Sequence, residues 1–276
     1  VRLTLLAILT VLPVFIGGCR AGPELAGGEV ESSDARTQAL HQQAEPTSVP
    51  STGAGQPDAE APARQAGAPS TRLHPFPGVV VLPEVPAVEL QGWVCLEYGW
   101  LEQIACAPGT REHESLVVPR AKPSQIHAAL LMAGFEPGAP GRWSYEDEEY
   151  SFTPPTGTAL DVFVRYTDES DRLIEEPIRR WIRDHLGRHE FPREPWIFAG
   201  SAFAPNPEWM GKEGEHYVAD VTGSIIGLVT FGDEVVGFSR VLADQVAVQP
   251  PEWEVNTGHI PPVGTPVTLI LRPFEP

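Results

Sequence analysis

The chain changes composition near residue 75, and that break fixes where a core can form. From Arg20 to Pro75 there is no aromatic residue and no apolar periodicity, and Pro46, Pro50, Pro57, Pro62 and Pro69 are scattered through a stretch rich in Ala, Gly, Gln, Ser and Glu. Such a segment cannot bury enough apolar surface to offset the entropy lost on ordering, so it reads as a disordered tether. As a random coil it reaches about 40 Å, which suits a spacer between an anchor and a folded part. All seven tryptophans lie beyond it. Residues 76–276 suffice for one domain of ordinary size.

The start of the chain carries a different signal. Arg2 precedes an apolar stretch from Leu3 to Ile16, followed by Gly17, Gly18 and Cys19. A membrane span needs about 20 apolar residues to cross about 30 Å of hydrocarbon; this stretch is shorter, contains Pro13 and runs into polar sequence. Small residues ahead of a cysteine resemble the lipobox of bacterial lipoproteins. The resemblance implies that residues 1–18 are a signal peptide and that residues 19–75 form a lipid-anchored linker. It also implies that Cys19 carries a diacylglycerol, with a further acyl chain such as palmitate on the new amino terminus. Each buried CH2 contributes about 0.8 kcal/mol, so two or three chains hold firmly where one binds reversibly. The expected location is the cell envelope, on a membrane and facing away from the cytoplasm.

A formal charge of −18 and the lack of any Lys or Arg run exclude a nucleic-acid-binding surface, which needs a basic patch. The same acidity repels anionic headgroups, so membrane attachment is expected through the lipid on Cys19 and not through the domain's face.

The domain reads as α+β: a mixed, mainly antiparallel sheet with about two helices. Leu160, Val162, Val164 and Tyr166 alternate with polar or outward residues, as do Val267, Leu269 and Leu271. Residues 79–82, 88–98, 116–118, 196–199 and 225–231 are further strand candidates. Pro123 opens and Gly134 closes a run in which Ile126, Leu130 and Leu131 share a helical face. Pro177 and Gly187 punctuate a second run carrying Ile178, Trp181 and Ile182. Strands outnumber helices, which favours a sheet with helices packed on one face.

With Cys19 assigned to lipid, Cys95 and Cys106 remain as an even pair in an exported domain. If residues 94–98 and 102–107 form a hairpin about Trp100 and Leu101, the two cysteines are directly opposed and close enough to bridge. A disulfide there contributes about 3 kcal/mol in the chain-entropy model. Two buried free thiols are the other reading. No Cys-x-x-Cys marks a catalytic dithiol.

The densest polar cluster runs Thr110-Arg111-Glu112-His113-Glu114-Ser115. Together with Gly92-Trp93-Val94-Cys95-Leu96, Ala105-Cys106, Ile126-His127-Ala128-Ala129-Leu130-Leu131, Trp196-Ile197-Phe198-Ala199-Gly200-Ser201, Ala219-Asp220, Phe231-Gly232-Asp233, Asn256 and Ile260-Pro261-Pro262-Val263-Gly264-Thr265-Pro266-Val267, it resembles the YdjY-domain family of uncharacterised bacterial envelope lipoproteins. The resemblance covers nearly the whole domain and implies a fold grouping without a reaction. A ferredoxin-like label attached to some relatives does not carry over, since an iron–sulfur cluster takes four thiolates and the domain has two.

No metal or cofactor is expected. In an extended segment Arg111, His113 and Ser115 face one side and Glu112 and Glu114 the other, so the run cannot chelate one ion locally; His216 and Asp220 lie about 13 Å apart if extended. His-Glu-x-x-His, Gly-x-Ser-x-Gly, the Walker loop and the dinucleotide fingerprint are absent. Two functions stay open. One is a tethered binding or protein-interaction module for an unknown envelope protein or small ligand. The other is an envelope hydrolase or transferase in which His113 orients or deprotonates a group, Arg111 clamps an anion and Ser115 donates a hydrogen bond, with Ser201, Asp220 or Asp233 converging on the same pocket. The structural alternative pairs Arg111 with Asp220 or Asp233 and sets His113 in a hydrogen-bonded niche.

Overall fold

The computed structural model describes residues 71–276; the expected signal peptide, Cys19 and nearly all of the expected linker lie outside the described residues. Ten strands carry the fold: β1 (Val79–Leu82), β2 (Ala87–Val94), β3 (Gln103–Cys106), β4 (Ser115–Pro119), β5 (Ala159–Thr167), β6 (Leu173–Pro177), β7 (Trp196–Phe198), β8 (Ser224–Gly227), β9 (Val236–Phe238) and β10 (Pro266–Pro273). Eight of them pair in the cyclic order β2-β10-β5-β7-β9-β8-β3-β4 and back to β2. The protein is therefore mostly β and built on a closed eight-stranded barrel, which corrects the expected α+β sheet with helices on one face.

Closure depends on β2 serving two neighbours along one edge. Its first half pairs with β1, Val79 opposite Leu90, and its second half with β4, Gly92 opposite Pro119 and Val94 opposite Val117. The other edge is covered by β10. Gly92 permits the crossing: a Cβ there would lie 2.4 Å from the Val118 carbonyl oxygen, so only glycine lets β4 approach. β4 also lies parallel to β3, and β8 parallel to β9; the other barrel pairs are antiparallel. No hairpin joins residues 94–98 to 102–107, because β4 inserts between β2 and β3.

The alternation expected in β5 and β10 is present. Val162 and Val164 point into the barrel opposite Leu271 and Leu269, while Leu160 lies opposite Pro273 and Val267 opposite Tyr166, each fully buried side chain contributing about 1.5–3 kcal/mol. Helix α1 (Pro123–Met132) begins on its proline as expected and lays Ile126, Ala129 and Leu130 into the core against β1 and β2. The second expected helix is absent. Residues Ile178–Trp181 make a single 3₁₀ turn and Ile182–Asp184 is already extended, paired with Val255 and Trp253. Asp184 ends any helical run there, its carboxylate accepting the backbone N–H groups of Leu186, Arg188 and His189. A five-residue helix, α2 (Val218–Thr222), closes on Gly223 in the left-handed region. Among the described residues no helix is long and apolar enough to cross a membrane.

Candidate functional site

The polar run 110–115 is not a strand. Glu112–Glu114 form a 3₁₀ turn and β4 starts only at Ser115, so the alternation of faces assumed for an extended segment does not apply. The turn separates two pairs of groups, a thiol pair on one side and a carboxyl pair on the other.

On the thiol side, Cys106 is buried at the end of β3 and Cys95 is half-buried just after β2; both are free thiols in the structure. The two thiols influence each other despite the intervening strand. Cys95 Sγ donates to the Ser115 carbonyl oxygen at 3.0 Å. The neighbouring Cys95 thiol, with the Arg111 amide, pulls the Cys106 thiol below its ordinary range, while the Cys106 thiol and burial push Cys95 up. The neighbouring hydroxyls are engaged elsewhere, Ser115 donating to the Arg111 carbonyl at 2.7 Å and Thr110 to the Ala107 carbonyl at 2.6 Å. Ser115 is thus a buried support of the turn.

On the other side, Arg111 Nη1 lies 3.4 Å from Glu114 and 3.9 Å from Glu102, and its guanidinium sits 3.7 Å over the Phe231 ring. Burial, together with the facing Glu114, pushes the Glu102 carboxyl up to about 7; the single arginine only partly offsets this. His113 points out, 78 % exposed, with Glu114 3.5 Å from its Nε2. Glu112 accepts the Gly109 N–H.

The remaining candidates lie in other settings. Asp220 accepts the Ser124 N–H and hydroxyl, capping the first turn of α1. Ser201, held in the left-handed region, accepts the Ala219 N–H. Asp233 buries one carboxylate oxygen without a partner, next to Glu234, whose burial pushes its carboxyl up to about 7. Arg111 pairs with neither Asp220 nor Asp233. His127 packs between Phe198 and Tyr217, its Nδ1 on the Gly200 carbonyl and the Tyr217 hydroxyl, and burial lowers its pKa. Arg111, His113 and Ser115 therefore do not converge on one opening. Among the described residues no group of three or more His, Cys, Asp or Glu side chains is arranged to hold a metal.

The opening lies beside Glu102. A cavity of about 250 Å³ is bounded by Trp100, Glu102, Leu242, Asp244, Glu252 and Trp253, among others. Trp100 and Glu102 flank Leu101, whose N–H bonds the Trp253 carbonyl, so two segments distant in sequence form facing walls. Trp253 is largely buried as one of these walls. Glu102, Asp244 and Trp100 carry no motif of their own; the pairing of residues 99–101 with 253–255, the Leu228 and Val229 N–H groups on the Glu102 carbonyl, and the Thr230–Ala243 bridge bring them together.

The model of the YdjY domain matches residues 81–272, a span that contains the barrel, the turn and the cavity. No curated protein and no solved structure matches the chain.

Proposed function

Since the chain belongs to the YdjY domain family, we propose that it is a membrane-anchored envelope protein whose barrel acts as a binding module. The observation that carries this reading is the contrast between the turn and the cavity: the polar side chains 111–115 are engaged in ion pairs and carbonyl bonds, whereas the cavity beside Glu102 is open. The anchor is the lipid on Cys19, with residues 19–75 as spacer, and the barrel faces away from the cytoplasm. In that oxidising compartment Cys95 and Cys106 close a disulfide that ties β2 to β3 across β4, the seam of the barrel.

Fractionation of the wild type and Cys19→Ser tests the anchor: wild type in the membrane fraction and the variant released is the expected result, and a variant still bound to bilayers refutes it. Cross-linking from the anchored protein in cells, with Trp100→Ala as control, tests the module. A recurring partner or ligand adduct lost in the variant is expected; adducts indifferent to Trp100 contradict the reading.

A further inference from the structure

We propose that the cavity between Trp100–Glu102 and the 242–253 segment takes a small organic cation, an alkylammonium group with short apolar substituents. The inference rests on the binding-module reading and names the ligand's chemistry.

Two properties of the walls point the same way. The lining is mainly apolar and includes two indoles, Trp100 and Trp253, whose π faces attract a cation. The charged residues in the lining are Glu102, Asp244 and Glu252, with no Lys, Arg or His among them. Of the cations nearby, Arg142 shares an adjoining opening with Asp244, and the others are held by their own partners. Arg111 lies over Phe231 and pairs with Glu114, Arg240 is bidentate on Glu194, and the His185 ring lies tilted against Trp100 with centroids 4.4 Å apart while bonded to Glu254. An entering ligand therefore meets three carboxyl groups countered by one arginine, which Glu102 shares with Glu114.

An anion is repelled by this arrangement. A neutral apolar ligand would fill the space but strip water from the carboxylates with nothing in return. An alkylammonium ion satisfies both halves, its substituents on the indoles and its charge against the acids. Burial and the facing Glu114 push the Glu102 carboxyl up to about 7, and a cation bound beside it would favour the ionised form. At about 250 Å³ the space lies just below the range of drug-sized pockets, which suits a ligand of few heavy atoms.

The test uses the full-length lipidated protein in detergent micelles and two probes of nearly equal shape, choline and its uncharged carbon isostere 3,3-dimethyl-1-butanol, titrated calorimetrically and by tryptophan fluorescence. Choline is expected to bind at least about tenfold more tightly than the isostere. Trp100→Ala and Glu102→Gln, both at partly exposed positions, should each weaken choline at least about fivefold with an unchanged near-UV spectrum. Equal binding of the two probes overturns the cation and leaves a module with an apolar pocket. Binding of neither to folded protein overturns the proposal, while the module reading is decided separately by the cross-linking. Choline binding indifferent to both substitutions assigns the ligand elsewhere and also overturns the proposal.

Discussion

Glu176 and Glu102 are the same residue in opposite surroundings. Glu176, at the end of β6, is 5 % exposed, and four donors reach its two oxygens: Tyr166 Oη at 3.1 Å and Trp181 Nε1 at 3.0 Å on one, His259 Nε2 at 3.0 Å and Arg180 Nη1 at 3.3 Å on the other. Burial pushes its carboxyl up, but the hydrogen bonds from His259, Trp181 and Tyr166 outweigh it and hold the group below the usual carboxylate range. Glu102 is more exposed, faces Glu114 and Asp244, shares one arginine, and is pushed up to about 7. A saturated buried acid knots the fold together. An under-compensated acid at the mouth of a cavity is a place where a ligand can supply what the protein does not.

The contrast breaks most sharply at Glu176. Glu176→Ala leaves the Trp181 N–H, the Tyr166 hydroxyl and His259 without their acceptor, and is expected to cost about 3–5 kcal/mol in urea unfolding. A loss below about 1 kcal/mol would show that the knot is dispensable.

The thiol pair comes next. Native protein should be two hydrogens lighter than reduced protein by mass, and reduction should lower stability by about 3 kcal/mol, roughly 6–12 °C in Tm. Identical masses would leave two free thiols on the seam.

The pH dependence separates the two kinds of acid. A carboxyl raised by folding stabilises least once it ionises, so Glu234 and Glu102 should weaken the fold as pH climbs from about 4.5 to about 7. Glu176 acts in the other direction: its contribution is present above about 4.5 and fades as pH falls through its depressed value. Glu234→Gln keeps an acceptor for the Gly232 N–H and removes the charge. It should stabilise the protein by up to about 3 kcal/mol at pH 8 and leave pH 4.5 unchanged. Glu102→Gln, at a more exposed site, should gain less than about 1 kcal/mol at pH 8. Flat pH profiles shared by wild type and both variants would contradict the charge assignments.

Local pattern carried much of this fold and little of its site. The strands at 79–82, 160–166 and 267–271 and the Pro123 start of α1 were legible because alternation and capping are written in adjacent residues. Barrel closure was not, since it depends on β4 meeting β2 and β3 together, which Gly92 allows but does not announce. The segment after Pro177 misled because Ile178 and Trp181, three apart, fit a 3₁₀ turn as well as an α-helix, and Asp184 then redirects the chain. The run 111–115 drew attention by its density of charge, and most of that charge is neutralised within the turn. Glu102 stood outside every motif, and its role follows only from the side chains that folding places around it.

A site-resolved carboxyl titration by NMR, following Glu102 and Glu176 in one sample, tests the central contrast most directly. Glu102 should titrate near 7 and Glu176 below the ordinary glutamate value of 4.5. Titration of Glu102 in the range of an exposed glutamate would show that its charge is already balanced, and would remove the basis for a cation at the cavity.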